Sequence, residues 1–169
     1  MLFLEAFFGV MAMFLSFTCV AADLKITRLT TREASSQGSP TKETTLSFVI
    51  DDTSPIGKAS TKCEGKWAEG VAYPTGGYIP CFNSSFGWNF LDGSFQNINT
   101  FTLQIEHRYE DDAVGDYPYN VLTNFAKATV WSNQTTCVTP RRGLHKNEHT
   151  CHQKRNTTID ALIWATSAK

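Results

Sequence analysis

Four of the five cysteines in this 169-residue chain constrain its fold more than any other feature: Cys63, Cys81, Cys137 and Cys151. An even number of cysteines is typical of an exported domain whose thiols are paired as disulfides. Three pairings are open. The sequential one, Cys63 with Cys81 and Cys137 with Cys151, is favoured because each pair brackets one glycine- or proline-bearing loop between strand-like segments. Each link would stabilise the fold by roughly 3 kcal/mol through the lost entropy of the unfolded chain.

Export is expected because residues 1–22 have the pattern of a secretory signal peptide. The segment is apolar, ends in small residues and gives way abruptly to polar sequence. It departs from the usual pattern in carrying Glu5, and no Lys or Arg, before its apolar core. An uncleaved anchor is the alternative, but the run 6–22 is shorter than the roughly 20 residues that span a bilayer. Removal of 1–22, which also removes Cys19, leaves one secreted domain, 23–169, with no membrane segment.

The mature chain has no net charge. Without Glu5 it holds 15 Lys and Arg residues, 15 Asp and Glu residues and four histidines. A neutral chain offers no positive field to a polyanion, so nucleic-acid binding is excluded on charge.

Three N-x-S/T sequons agree with a secretory route. They begin at Asn83, Asn133 and Asn156. Such triplets mark surface positions that are glycosylated in eukaryotic secretion.

The hydrophobic pattern predicts a mainly β fold. Short runs of β-branched and aromatic residues alternate with polar ones, most clearly at 101–109, where Phe101, Leu103 and Ile105 share one face. Glycine- and proline-rich turns separate the runs. We therefore expect a single compact β-barrel or sandwich of short antiparallel strands, with two disulfides and at most one short helix. The predicted strands are 24–31, 44–51, 78–82, 87–91, 101–109, 126–132 and 159–166. The segment 119–127 is the candidate for a short helix, because its apolar residues recur at helical spacing.

The stretch LHKNEHTCH, 144–152, contains the pattern H-x-x-E-H, in which His145 and His149 would bind zinc and Glu148 would act in catalysis. That chemistry needs the two histidines one turn apart on a helix. Here proline and glycine precede the motif, and a link from Cys137 to Cys151 would close it into a short loop. The segment 141–155, which we call the basic loop, is therefore interpreted as a solvated loop, and no metal or cofactor is predicted.

Two further constellations have alternative interpretations. Glu106 and the acidic residues of 110–116 could supply the carboxylate pair of a polysaccharide hydrolase, although cross-strand ion pairs and a solvated turn are the favoured explanation. Phe82, Phe86, Trp88 and Phe90 share one parity, and such a row is ordinarily core. The last three could instead line the apolar pocket of a small-ligand carrier. No nucleophile motif or phosphate-binding loop is present, so the chain is not predicted to be an enzyme.

Several quoted segments together resemble a known family. In chain order they are LKITRL, TTLSFVID, CFNSSFGWNF, FTLQIEHRYED, AKATVWSNQTTC, TCHQ and IDALIWATSA. They are similar to the secreted fungal family of the Alternaria alternata major allergen, over nearly the whole mature chain. The resemblance implies a β-barrel with disulfides Cys63–Cys81 and Cys137–Cys151, in agreement with the favoured pairing.

The resemblance also implies a non-enzymatic, extracellular role. Members of that family are fungal allergens, and in plant pathogens they act as effectors or elicitors that engage host proteins such as the thaumatin-like pathogenesis-related class. The type member forms a disulfide-linked dimer through an extra cysteine, but no mature cysteine is left over here, so such a dimer is not expected. Binding of a host extracellular protein or of a cell-wall component is predicted to use exposed loops. The candidate contact residues are Arg141, Arg142 and Lys146 in the basic loop, and Tyr117 and Tyr119 in the loop 109–119.

Overall fold

The computed structural model describes residues 24–35, 42–69, 71–139 and 148–168. In these ranges the chain forms ten β-strands and one short 3-10 helix, Ser132–Gln134. The predicted signal peptide, 1–22, lies outside them. No helix in these ranges is long and apolar enough to cross a membrane. The strands are β1 Leu24–Ser35, β2 Lys42–Asp52, β3 Ala59–Ala68, β4 Ile79–Pro80, β5 Phe86–Phe90, β6 Phe101–Glu110, β7 Val121–Val130, β8 Thr135–Val138, β9 Glu148–Gln153 and β10 Ile159–Ala168.

The strands form one antiparallel sheet that curls into a nearly closed eight-stranded barrel, as the sequence predicts. Its order is β3-β2-β1-β10-β7-β6-β5-β4. Strand β1 pairs with β10 near its start and with β9 further along, and β8 adds to the outer side of β9. The β8–β9 hairpin therefore lies outside the eight-stranded barrel and is joined to it through β1.

One glutamine side chain stabilises the point where β1 changes partner. A bulge there leaves Arg28 with a φ of 53°, which is uncommon for a non-glycine residue. The Gln153 Oε1 accepts a hydrogen bond from the backbone N–H of Leu29 at 3.0 Å. Its Nε2 donates to the carbonyl oxygens of Ile26 and Thr157 at 3.3 and 2.7 Å. The amide thus satisfies backbone groups at the point of divergence.

A disulfide joins the two edge strands of the sheet. The Cys63–Cys81 link connects β3 to the residue that follows β4. Next to it, the Phe82 N–H donates to the Lys62 carbonyl oxygen at 3.0 Å. A covalent link and a hydrogen bond thus close the barrel where the strand ladder is incomplete, which protects edges that would otherwise be open to pairing.

The interior of the barrel is filled by aromatic rings. Trp88 is fully buried, and its ring centroid lies 5.6 Å from those of both Phe48 and Phe90 in edge-to-face geometry. Phe90 in turn lies 5.5 Å from Phe101. A Cβ added at Gly65 would lie 2.5 Å from the Trp88 ring, so only glycine lets β3 pass this close to the indole. The prediction that the aromatic row is core is confirmed for Phe86, Trp88 and Phe90. It is wrong for Phe82, which is 75% exposed because it lies before β5, outside the strand whose alternation directs the other three inward.

Both predicted disulfides are confirmed. Cys63 pairs with Cys81, and Cys137 pairs with Cys151 at directly opposed positions of β8 and β9. Each link is local in the chain, with sequence separations of 18 and 14 residues.

The prediction of a short helix at 119–127 is wrong. Residues 121–130 form β7, which pairs with β6 without interruption from Phe101 opposite Val130 to Glu110 opposite Val121. A complete ladder against the strongly patterned β6 outweighs the helical spacing of a few apolar residues, because strand preference depends on tertiary context.

Strands β3, β8 and β9 were not predicted, and the strand predicted at 78–82 is only two residues long. In β3 the buried Thr61 and Cys63 alternate with the exposed Lys62 and Glu64, so that few apolar residues mark the strand. The other predicted strands are confirmed, with ends shifted by up to five residues.

Candidate functional site

The barrel has two ends of different character. Asp52, the last residue of β2, is hydrogen-bonded to His107 near the end of β6, so both strands end at one side, which we call the loop end. Leu24 pairs with Asp52, and ten residues further along β1 Ala34 pairs with Glu148. The end of β8 and the start of β9 therefore lie at the opposite side, which we call the hairpin end.

The loop end displays tyrosines on an internally bonded loop. Residues 111–120, the tyrosine loop, connect β6 to β7. The Asp111 N–H donates to the Asn120 carbonyl oxygen at 2.9 Å. Within the loop the Tyr119 N–H donates to the Asp116 carbonyl oxygen at 2.8 Å. Tyr117 and Tyr119 are 75% and 69% exposed, so most of their ring area faces solvent.

A surface cleft of about 450 Å³ lies beside this loop. Its volume is in the range of small-molecule sites. The walls combine the tyrosine loop with the ends of β6, β7 and β10. The lining residues are Arg108, Tyr117, Pro118, Val121, Thr123, Ser167 and Ala168.

The structure describes only one of the two groups of predicted contact residues. Arg141, Arg142 and Lys146 lie outside the described residues, but the strands that lead into and out of their loop, β8 and β9, meet at the hairpin end. Tyr117 and Tyr119 belong to the loop end.

The H-x-x-E-H motif does not form a helical metal site. The prediction that 141–155 is one solvated loop is wrong for 148–153, which form strand β9 because they pair with β1 and β8. Glu148 and His149 lie on this strand, and His145 lies outside the described residues. The Glu148 carboxylate accepts two hydrogen bonds from Arg32, at 2.6 and 2.9 Å, and these raise the pKa of the arginine. The His149 Nδ1 lies 2.9 Å from the Thr139 hydroxyl. Among the described residues, no group of three or more metal-binding side chains comes together.

Asp52 and His107 form a buried pair that the sequence did not predict. The His107 Nδ1 lies 2.7 Å from Asp52 Oδ2, and the two side chains are 2% and 1% exposed. A carboxylate only accepts hydrogen bonds, so the imidazole Nδ1 carries the proton and donates it. The His107 ring also stacks on Phe86, with centroids 3.7 Å apart. The parity that His107 shares with Ile105, near the end of a strand, predicts a hydrogen-bonded residue at the rim of the barrel, but its partner is 55 residues away and no local motif marks it.

The environment of Asp52 favours its ionised form. Burial acts to raise its pKa, but hydrogen bonds from His107 and from the Ser54 backbone N–H outweigh this, so the pKa lies below its ordinary value. Gly57 packs over the pair, and a Cβ there would lie 2.9 Å from Asp52 Oδ2 and 3.3 Å from His107 Cε1. Only the absence of a side chain lets this turn close over the pair.

This pair is not arranged for nucleophilic catalysis. That chemistry needs a nucleophile hydrogen-bonded to the histidine and open to substrate. The nearby Ser54 hydroxyl oxygen instead accepts a hydrogen bond from the Gly57 N–H at 3.0 Å, and Phe86 and Gly57 cover the His107 ring. The geometry is that of a structural tie between β2 and β6.

Glu106 and Glu110 are poorly placed to act as the catalytic pair of the hydrolase alternative. Glu106 lies on the outer face of β6. The pKa of Tyr78 is raised, mainly by the burial of the tyrosine itself and to a smaller extent by the negative charge of Glu106. Glu110 is four residues along the same extended strand, roughly 13 Å away, beyond the usual 5 to 10 Å separation of a catalytic pair. In the tyrosine loop, Asp112 accepts a hydrogen bond from Asn120 at 3.0 Å.

The three sequon asparagines are exposed, as glycan acceptors must be. Asn83 lies in the turn before β5, Asn133 in the 3-10 helix and Asn156 in the turn before β10. Their glycosylation stays a prediction.

These features define a class of protein: a small, disulfide-braced β-barrel with a filled interior and an elaborated loop end. No family model and no curated protein matches the chain. Among solved structures it is similar to the crystal structure of Alternaria alternata allergen Alt a 1, with 18% sequence identity and a TM-score of 0.48. The match covers 83% of this chain and 87% of that chain.

Proposed function

We infer that this chain is a secreted, non-enzymatic binding protein that engages an extracellular partner through the tyrosine loop. The observation that carries the proposal is the display of Tyr117 and Tyr119, more than two-thirds exposed, on a loop held by its own hydrogen bonds. Tyrosine supplies large contact area at low cost in conformational entropy and is enriched in interfaces.

The filled interior supports surface binding over an internal carrier function. Phe86, Trp88 and Phe90, the residues proposed to line a carrier pocket, are at most 1% exposed and contact other rings. A tightly packed core leaves the surface as the place where the protein acts.

The chain's covalent links support an extracellular setting. Two disulfides are typical of proteins that fold in an oxidising compartment. We propose that residues 1–22 direct secretion, that Asn83, Asn133 and Asn156 carry glycans, and that the protein is an allergen-like fungal effector or elicitor. The partner would be a host extracellular protein, for example of the thaumatin-like pathogenesis-related class, or a cell-wall component.

Replacement of both tyrosines tests the proposal. Tyr117→Ser with Tyr119→Ser should weaken capture of a purified thaumatin-like protein, or of isolated cell-wall polysaccharide, by at least tenfold, since aromatic interface anchors cost roughly 2 kcal/mol or more when truncated. The melting temperature should stay unchanged, because exposed substitutions shift stability by only about 0.5 kcal/mol. Affinity is measured by biolayer interferometry.

The hairpin end provides the matched control. Trp131 is 56% exposed and lies just after β7, so Trp131→Ser removes a comparable aromatic surface far from the tyrosine loop. Charge reversal at Arg141, Arg142 and Lys146 tests the basic loop separately. Full affinity in the double tyrosine variant, or an equal loss in Trp131→Ser, would contradict the assignment.

A further inference from the structure

Three polar side chains form a row across adjacent strands at the loop end. Arg108 on β6 is directly opposite Thr123 on β7, and Thr123 is directly opposite Ser167 on β10. Residues directly opposed in antiparallel strands project from the same face of the sheet, with Cβ atoms about 5 Å apart. The Arg108 guanidinium and the hydroxyls of Thr123 and Ser167 therefore lie side by side on the outer surface of the barrel, inside the 450 Å³ cleft.

These donors are not used within the described part of the chain. Arg108 forms no ion pair there, although three other cationic side chains, Arg32, Lys62 and Lys66, pair with glutamates. Neither the Arg108 guanidinium nor the hydroxyls of Thr123 and Ser167 has a hydrogen-bond partner among the described residues. A guanidinium with two hydroxyls beside it offers several donors that converge on one region without an internal acceptor.

The walls above this row are apolar. Tyr117, Pro118 and Val121 line the cleft on the side of the tyrosine loop, and Ala168 lines it beside Ser167. These apolar side chains favour a ligand with a flat hydrocarbon group. The donors of Arg108, Thr123 and Ser167 favour hydrogen-bond acceptors on the same ligand.

We propose that this cleft is a binding site for a small organic carboxylate that carries a flat apolar group. Its carboxylate accepts hydrogen bonds from the planar fork of Arg108, a geometry that matches carboxylates in particular. One carboxylate oxygen reaches the Thr123 or Ser167 hydroxyl, and the flat group packs between Tyr117 and Pro118.

The charge balance of the cleft favours a monoanion. Arg108 is the single cationic residue among those that line it, and the adjoining tyrosine loop carries Asp111, Asp112 and Asp116. One positive charge offsets one carboxylate, whereas a phosphate dianion would bring an uncompensated charge near these three acids.

Benzoate and its neutral isostere benzamide are the probes. Titration of the mature protein, followed by chemical-shift changes, should give saturable benzoate binding with a Kd on the order of 1 mM, and benzamide should bind at least tenfold more weakly. Arg108→Gln should weaken benzoate binding roughly tenfold to a hundredfold through the loss of charge-assisted hydrogen bonds. Thr123→Val, which keeps the side-chain shape, should weaken it several-fold.

The control is Arg155→Gln, an exposed arginine in the turn between β9 and β10, which should leave benzoate binding unchanged. The site is refuted by equal binding of benzoate and benzamide, by full affinity in Arg108→Gln, by an equal loss in Arg155→Gln, or by no saturation at about ten times the expected Kd. Tighter binding of inorganic phosphate than of benzoate would overturn the assigned ligand class. The measurement uses no protein partner, so its outcome is independent of the proposed function.

Discussion

Asp52 and His107 link β2 to β6 through a hydrogen bond almost completely withdrawn from solvent. Removal of one partner from such a buried pair leaves the other group without its acceptor or donor, and this penalty is larger than the net value of the bond itself. The pair therefore specifies how the loop end closes. Any rearrangement that separates β2 from β6 must either leave both groups buried without a partner or expose them to water.

The pair gives the protein's stability a predictable pH dependence. The pKa of Asp52 is lower in the folded state than its ordinary value, so its contribution to the free energy of unfolding is present above the unfolded pKa of about 3.9. It is lost as the pH falls through the folded-state pKa. Asp52→Asn should reduce the free energy of unfolding by about 1 to 3 kcal/mol at neutral pH. The difference from the wild type should shrink below about pH 4, as followed by urea denaturation.

Asp51→Asn is the matched control, because the neighbouring carboxylate is only partly buried and accepts hydrogen bonds from Thr27 and Ser60 at the surface. It should cost less than Asp52→Asn at neutral pH. A penalty for Asp52→Asn that persists or grows in acid would show that the carboxylate is not stabilised in its ionised form.

At the scale of strands, the two disulfides have different roles despite similar loop lengths. Cys63–Cys81 joins the two edges of the barrel, whereas Cys137–Cys151 links β8 to β9 in the hairpin outside the barrel. Chain-entropy arguments alone assign both links roughly 3 kcal/mol. Topology distinguishes them, because only the first bridges a gap in the strand ladder.

Removal of each disulfide should therefore loosen different strands. Cys63→Ala with Cys81→Ala should lower the free energy of unfolding by about 3 kcal/mol and speed amide hydrogen exchange in β2 and β3. Cys137→Ala with Cys151→Ala should speed exchange in β8 and β9 and leave β3 unchanged. Native-state exchange read by mass spectrometry distinguishes these patterns, and faster exchange in the same strands for both variants would disprove the closing role of the first disulfide.

How far the sequence predicts these elements depends on how much apolar alternation each strand carries. The pattern of β6 is unmistakable, since its buried and half-exposed residues alternate from Phe101 to Ile105. In β9 the disulfide cysteine is the one buried residue among the six, so no alternation of apolar residues predicts the strand. The segment at the start of β7 has helical spacing, and only pairing with β6, a contact distant in sequence, decides its conformation.

The candidate site is predictable only in part for the same reason. Tyr117 and Tyr119 stand out because they lie between turn-forming residues, and the structure exposes both. Neither the Asp52–His107 pair nor the row from Arg108 to Ser167 has a local signature, since each depends on strand register across many residues.

For the molecule as a whole, the proposed binding surface is separate from the parts that stabilise the fold. The barrel derives its stability from a packed aromatic interior and two covalent links, none of which the tyrosine loop contributes. Loops on such a braced scaffold can vary without loss of the fold, which is why they so often carry function.

Disulfide mapping of the secreted protein without prior reduction tests the central claim, a barrel closed and braced by two local covalent links, most directly. Mass spectrometry of proteolytic peptides should find one linked pair that contains Cys63 and Cys81 and another that contains Cys137 and Cys151, with no free thiol among the four. A link between either cysteine of the first pair and either of the second, or a free thiol at these positions, would contradict the account.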